Sequence, residues 1–238
     1  MAIRPLRAVT FDFWGTLVDA RADYTERRVA FLARHLENAS TDEVMRGYRE
    51  ATAVASHISR LGLSFPTASL LSLTLDALGT ALPPNDREHV ARYWEEVILE
   101  DPPAPLPGIE RTLAHLADLG LSLGLISDTG VSPGRSLRRV LLGAGLLCHF
   151  RHLTFSDEIG VTKRRPQPFR GTLAAMGAAP DEALHVGDLP ETDIAGAHAA
   201  GMRAALFLQN SRRLDGVSQA DLVLERWADL STGIAPWL

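Results

Sequence analysis

The sequence has one cysteine, Cys148, so it can form neither an internal disulfide nor a thiolate-rich metal site. We expect this thiol, in the apolar stretch LLCHF, to be a small buried side chain. No run of residues approaches the roughly 18 apolar residues that cross a bilayer. The N-terminal segment MAIRPLRAV also lacks the apolar stretch of a signal peptide. These absences predict a cytoplasmic protein that spans no membrane.

A basic surface stripe is missing as well. The formal net charge is −5, and no cluster of Lys and Arg is interleaved with aromatic residues, so we expect no nucleic-acid partner. Low-complexity tracts are absent, and hydrophobic residues make up 46% of the chain, which is enough for a folded core. A length of 238 residues suits one large domain, or a core domain with an insertion.

Short apolar runs alternate with helical patterns over much of the chain. The runs lie at residues 7–12, 121–128, 151–156, 183–188 and 203–208, with a weaker candidate edge strand at 220–225. Continuous apolar runs are typical of strands buried on both faces of a parallel sheet. The helical patterns between them lie at residues 108–120, 132–145, 167–177 and 190–201. This alternation predicts an α/β fold, a Rossmann-like three-layer α/β/α core with a mostly parallel sheet.

Residues 20–104 interrupt this alternation and contain no strand pattern. They indicate four helices, at about 22–38, 41–60, 66–79 and 84–100, and Thr41 is the expected N-cap of the second. A proline-rich segment then leads back to the alternating pattern. We therefore predict an all-helical cap domain, residues 20–104, inserted into a core domain made of residues 1–19 and 105–238.

Polar residues follow the ends of the predicted strands. Asp12 ends the first strand, Ser127 and Asp128 end the second, and Asp188 ends the fourth, with Asp193 five residues later. Ligands of parallel sheets bind at the carboxyl ends of strands, so these side chains are expected at one edge. The helical insertion leaves from the same edge and would cover it like a lid.

Each of these residues has a chemical and a structural interpretation. Asp12 is either a carboxylate nucleophile or the cap of the next turn. Ser127 is either a phosphate ligand or an ordinary turn residue. Lys163 is either a fixed positive charge beside a phosphoryl group or a surface lysine. Two acids near one strand end, Asp188 and Asp193, are costly unless a cation balances them, and carboxylates with phosphate oxygens suit Mg²⁺.

Four segments, in chain order, resemble the motifs of the haloacid dehalogenase superfamily of aspartate-nucleophile hydrolases. They are FDFWGTL, LGLISD, SDEIGVTKRRPQPF and HVGDLPETDIAGAHAAGM. The resemblance covers nearly the whole chain and includes the subfamily with a helical cap between the first two motifs. It implies that Asp12 is the nucleophile and that Ser127 and Lys163 bind phosphate, with Asp128 beside them in the substrate site.

The same resemblance implies a magnesium site. Mg²⁺ would be held by Asp12, Asp188 and the backbone carbonyl of Trp14, and Asp193 would support either Lys163 or a metal-bound water. The implied substrate is a small phosphorylated molecule, with its specificity set by the cap. Polar candidates for that role are Tyr24, Arg28, His57 and Arg92.

Trp14 is the main departure from the family pattern. Phosphatases of the family carry there an Asp that protonates the leaving group and later activates water, help worth about 10²–10⁴-fold. Family dehalogenases commonly place an aromatic residue there, but they need no Mg²⁺ and usually lack the Gly-Asp pair found here at 187–188. Smaller departures are Asp128, where Asn is common, and Arg164, where Pro is common. The candidates to replace the missing acid are Asp128, Asp19, Asp23 and Tyr24.

Three functions remain open on these residues. The first is a Mg²⁺-dependent phosphatase of small phosphomonoesters, acting through an aspartyl-phosphate on Asp12. The second is a metal-independent 2-haloacid dehalogenase, indicated by Trp14. The third is a non-catalytic or very slow phosphate-binding protein, indicated by the missing acid.

Overall fold

One parallel sheet forms the centre of the protein, whose computed structural model describes residues 4–20, 23–209 and 213–238. Within these ranges the strands are β1 (Ala8–Phe11), β2 (Ser122–Ser127), β3 (His152–Phe155), β4 (Ala183–Gly187), β5 (Arg203–Phe207) and β6 (Leu222–Leu224). Their order is β3-β2-β1-β4-β5-β6, and every neighbouring pair is parallel. The predicted α/β fold is confirmed, and the weak run at 220–225 does form an edge strand.

Among the described residues, four α-helices lie between β1 and β2. They are α1 (Thr25–Ala33), α2 (Thr41–Arg60), α3 (Thr67–Ala77) and α4 (Pro84–Glu96). The first is shorter than the predicted 22–38, and residue 22 lies outside the described residues. The fourth ends at Glu96 and continues as a 3₁₀ turn, Val97–Leu99.

The predicted N-cap of α2 was wrong by one residue. Ser40 caps the helix, because its hydroxyl accepts the N–H of Glu43 at 3.3 Å while the Glu43 carboxylate accepts the N–H of Ser40 at 2.8 Å. Ser-x-x-Glu satisfies two helix-end donors at once, which Thr41 cannot do from inside the first turn.

The four helices bury their own set of apolar side chains, which includes Val29, Leu32, Leu71 and Trp94. That separate cluster supports the division into a cap of residues 20–104 and a core, but the domain boundaries stay a prediction. No helix among the described residues combines the length and the apolar character needed to span a membrane.

In the part of the chain that the structure describes, six further α-helices accompany the sheet. They are α5 (Ile109–Asp118), α6 (Gly134–Gly143), α7 (Ser156–Ile159), α8 (Gln167–Met176), α9 (Ala195–Ala200) and α10 (Asp229–Ile234). Side chains alternate between the faces of a strand. Thus Val9 and Phe11 pack in one cluster with α5, α6 and α10, whereas Ala8 packs in the other with α8 and α9. Helices therefore cover both faces of the sheet, as the alternating pattern predicted.

Cys148 is exposed, so the expectation that it is buried was wrong. It lies in a 3₁₀ turn, Leu147–His149, between α6 and β3, where an apolar neighbourhood in sequence does not imply burial. Its thiol lies 3.4 Å from the carbonyl oxygen of Gly145.

Candidate active site

Asp12 follows the central strand β1 and is only 4% exposed. Its N–H donates to the carbonyl oxygen of Val186 at 2.9 Å, which fixes it between β1 and β4. Two backbone hydrogen bonds close the next turn: the N–H of Val18 donates to the carbonyl oxygen of Phe13 at 3.1 Å, and the N–H of Gly15 donates to the carbonyl oxygen of Val18 at 2.8 Å. Neither bond uses the carbonyl oxygen of Trp14.

Gly15 brings this turn against Asp188. Its φ is +71°, a conformation that glycine adopts without steric cost. A Cβ at this position would lie 2.6 Å from Oδ2 of Asp188. The glycine therefore allows both the sharp turn and the close approach of the Asp188 carboxylate to the loop after Asp12.

Lys163 is buried between two carboxylates. Its ammonium donates to Oδ1 of Asp12 in a short contact and to Oδ1 of Asp193 at 2.6 Å. Burial alone would lower the pKa of Lys163, but Asp12, Asp193 and Asp128 outweigh it and raise the pKa above its ordinary value. The lysine is therefore a permanent positive charge at the end of β1.

Asp193 is completely buried and ionised. Burial acts to raise its pKa, but Lys163 and His185 together hold the pKa of this carboxyl well below its usual range. It lies in a π-helical turn, Pro190–Ile194, where its Oδ2 accepts the N–H of Leu189 at 2.9 Å. Such wide turns are frequent at functional sites.

His185 is a site residue that the sequence analysis missed. Burial lowers the pKa of its ring, so the imidazole is neutral. Its Nε2–H donates to Oδ1 of Asp193 at 3.1 Å, and its Nδ1 accepts the hydroxyl of Thr10 at 2.9 Å. The available signal was a histidine in the middle of a buried strand, where both ring nitrogens need partners.

Three carboxylates form a possible metal centre. Ligand oxygens of Asp12, Asp188 and Asp193 all lie within 4.8 Å of one another. Burial, followed by the charge of Asp193, raises the pKa of Asp188 to about 7. Burial likewise raises the pKa of Asp12, against the opposing charge of Lys163. With all three carboxyl groups ionised, the cluster would carry more negative charge than one lysine balances, and its hard oxygen donors fit a divalent cation such as Mg²⁺.

Ser127 and Asp128 occupy the end of the neighbouring strand β2. Ser127 is 1% exposed, and its hydroxyl donates to the carbonyl of Asp128 at 3.4 Å. Oδ1 of Asp128 accepts the backbone N–H of Lys163 at 3.0 Å. This bond fastens the lysine loop to β2, so the predicted phosphate ligands lie at the same edge of the sheet.

Two cavities open at this edge. The larger, about 520 Å³, lies between α2, α3 and the core and is lined by residues that include Ser59, Phe65, Leu70, Asp128, Thr162 and Arg164. The smaller, about 290 Å³, is lined by residues that include Trp14, Asp23, Tyr24, Arg28, Asp128 and Ser132. Asp128 therefore belongs to the walls of both.

The four polar cap candidates divide into two groups. Tyr24 and Arg28 line the smaller cavity with Trp14. Arg92 pairs instead with Glu88 at 2.7 Å on an exposed helix face, and His57 lines neither of these two cavities.

Comparisons with known proteins place the chain among hydrolases. The curated relatives include a phosphoserine phosphatase from Thermus thermophilus, 40% identical over 116 residues, which are 49% of this chain and 45% of that protein. The chain thus spans less than half the length of that relative. A phosphoglycolate phosphatase from Yersinia pseudotuberculosis is 28% identical over 233 residues, covering 97% of this chain and 94% of that protein.

A solved structure is similar over its full length. It is a 2-haloacid dehalogenase from Pseudomonas syringae, with a TM-score of 0.73, 25% identity, and coverage of 98% of this chain and 100% of that chain. The family model for haloacid dehalogenase-like hydrolases matches residues 6–201. The resemblance seen in the four motifs is thereby confirmed, and the chain belongs to the haloacid dehalogenase-like hydrolases.

Proposed function

We propose that this hydrolase is a Mg²⁺-dependent phosphatase of small phosphomonoesters that forms an aspartyl-phosphate on Asp12. The observation that carries the proposal is the cluster of Asp12, Asp188 and Asp193, whose ligand oxygens lie within 4.8 Å of one another. A phosphoryl group is itself anionic, so three carboxylates beside it need a cation in addition to Lys163.

Each of the buried side chains would have a separate role in the reaction. The Asp12 carboxylate would attack phosphorus, and Lys163 would favour the ionised form of that carboxylate against the effect of burial and offset charge in the transition state. The Ser127 hydroxyl would donate to a non-bridging phosphate oxygen. Asp12, Asp188 and the carbonyl of Trp14 would hold Mg²⁺, which supplies positive charge to the phosphoryl oxygens when bound.

The size of the site and the relatives support a small substrate. The larger cavity, about 520 Å³, has room for a molecule of metabolite size beside Asp128. The relatives from Thermus thermophilus and Yersinia pseudotuberculosis are named for phosphoserine and phosphoglycolate, two small phosphorylated acids. Both compounds belong in the first substrate panel.

Phosphate release from p-nitrophenyl phosphate, phosphoserine and phosphoglycolate tests the proposal, with Mg²⁺ and with EDTA. We expect Mg²⁺-dependent turnover that Asp12→Asn abolishes. Asp118→Asn, an exposed acid at the end of α5, is the matched control and should retain full activity. Turnover that persists in Asp12→Asn, or that is the same with Mg²⁺ and with EDTA, would contradict the proposal.

A second candidate is a 2-haloacid dehalogenase, favoured by the aromatic Trp14 and by the likeness to the Pseudomonas syringae enzyme. It predicts halide release from 2-chloropropionate in the presence of EDTA. A third, a phosphate-binding protein without turnover, predicts binding of BeF₃⁻ and Mg²⁺ with no product from any substrate. One set of assays therefore distinguishes the three candidate functions, because each predicts a different result.

A further inference from the structure

A phosphatase with Trp14 lacks the acid expected beside its nucleophile, so another group has to move the proton. The Trp14 side chain is half-buried against Phe13, with ring centroids 5.0 Å apart, and carries no carboxyl group. Asp19, Asp23, Tyr24 and Asp128 lie close enough in sequence to the first two motifs to be considered. The structure separates these four.

One of them lies outside both cavities, and two hold side-chain hydrogen bonds to other groups. Asp19 lines neither cavity, and its backbone N–H is bound to Ala104 at 3.0 Å. Asp23 accepts the N–H of Thr25 at 2.8 Å, a bond that lowers its pKa and keeps it ionised. The Tyr24 hydroxyl donates a hydrogen bond to the carbonyl oxygen of Asp101 at 2.7 Å.

Asp128 is placed differently. It directly follows β2, the strand beside β1, and is a wall of both cavities. One of its carboxyl oxygens is fixed by the N–H of Lys163, so the side chain has a defined orientation. It shares the smaller cavity with Trp14, which stands at the position of the missing acid.

We propose that Asp128 is the general acid and base of the reaction, a catalytic residue that replaces the missing group at Trp14. The inference rests on the proposed phosphatase function. As Asp12 forms its bond to phosphorus, the bond from phosphorus to the leaving oxygen breaks, and that oxygen takes its electron pair and the proton of Asp128. An alcohol leaves, and Asp128 becomes a carboxylate.

The second half-reaction reverses the proton movement. The Asp128 carboxylate takes a proton from water while the water oxygen bonds to phosphorus. The bond between phosphorus and Asp12 breaks, its electron pair returns to the Asp12 carboxylate, and inorganic phosphate leaves. Asp128 is again protonated, and both carboxyl groups are as they began.

Burial and the surrounding charges favour the protonated form of Asp128 more than water does. Burial raises its pKa, and so does the negative charge of Asp193. Lys163 and Arg164 on the neighbouring loop act in the opposite direction, and the net pKa remains above the ordinary value. A general acid works best when its pKa lies near the operating pH.

Leaving-group dependence tests the proposal. Asp128→Asn keeps the oxygen that accepts the Lys163 N–H but has no acidic proton. We expect kcat for an alkyl phosphate, glycerol 3-phosphate, to fall by about 10²–10⁴-fold. With p-nitrophenyl phosphate, whose leaving group needs no proton, we expect a loss of less than about tenfold. Asp23→Asn, in the same smaller cavity, is the matched control and should change kcat for the two substrates by equal factors.

Two further variants separate catalysis from structure. Asp128→Glu retains an acid and should recover part of the alkyl phosphate activity, as should Trp14→Asp in the Asp128→Asn background. Equal losses with both substrates, or no loss with either, would overturn the role of Asp128 while leaving the phosphatase proposal intact. A wild-type protein without Mg²⁺-dependent turnover would overturn the phosphatase proposal, and this inference with it.

Discussion

Replacing Asp188 by Asn should stabilise the metal-free protein at pH 8. The residue lies beside Asp193 and the Gly15 turn, and burial with the charge of Asp193 raises its pKa from 3.8 to about 7. An aspartate whose pKa is raised on folding contributes most stability below the pKa of the unfolded chain. That contribution is lost as the pH rises through the folded value, here between about 4 and 7.

The magnitude follows from the same pKa difference. At about 1.4 kcal/mol for each pH unit, a rise from 3.8 to about 7 sets an upper bound of about 4 kcal/mol. Water reaches the partly exposed carboxylate, so we expect Asp188→Asn to raise the free energy of unfolding by about 1–2 kcal/mol at pH 8. The gain should shrink towards zero near pH 4, where the wild-type carboxyl is protonated in the folded protein.

Urea unfolding in EDTA, followed by tryptophan fluorescence from pH 4 to pH 8, measures this difference. Glu225→Gln, an exposed acid after the edge strand β6, is the control and should show no such pH-dependent gain. Adding Mg²⁺ should reverse the order, since the wild-type protein gains about 2.7 kcal/mol at a hundredfold excess over Kd and the variant gains less.

A variant that is less stable than wild type at pH 8 in EDTA would refute the reasoning. So would a gain that is the same at pH 4 and pH 8, because the effect would then not arise from the ionisation of Asp188. Equal stabilisation of both proteins by Mg²⁺ would show that Asp188 is not a ligand of the metal.

Two substitutions test the supports of the site. Gly15→Ala places a Cβ 2.6 Å from the Asp188 carboxylate at a φ of +71°, so it should cost about 1–2 kcal/mol and weaken Mg²⁺ binding in a thermal-shift titration. Gly79→Ala, with φ +61° and no atom within 4 Å, should cost similar stability without changing Mg²⁺ affinity, and an equal effect on affinity would contradict the prediction. Lys163→Met leaves Asp12 and Asp193 without their shared cation and should cost about 3–5 kcal/mol in urea unfolding, whereas wild-type stability would show that the lysine is not needed to balance them.

The arrangement of the site was predictable where it depends on strand ends. Asp12, Ser127 and Asp188 each follow an apolar run, and parallel strands bring such ends to one edge of the sheet. The structure places all three there, with Lys163 between Asp12 and Asp193. Their catalytic roles stay predictions.

Other features of the structure depend on contacts that the order of residues in the sequence does not show. The bond from His185 to Asp193 requires a π-helical turn that folds the chain back on its own strand. Ser40 rather than Thr41 caps α2 because its partner, Glu43, reaches back three residues. Cys148 is exposed because a turn, and not a strand, contains its apolar neighbours.

The Asp12 adduct offers the most direct test of phosphoryl transfer to this residue. A reaction with excess enzyme, Mg²⁺ and p-nitrophenyl phosphate, quenched rapidly in acid and digested, should yield the peptide containing Asp12 with the added mass of one phosphoryl group. The adduct should be absent with EDTA and in Asp12→Asn. Phosphate release by wild-type protein with no such adduct at any quench time, or with the adduct on another residue, would contradict Asp12 as the nucleophile.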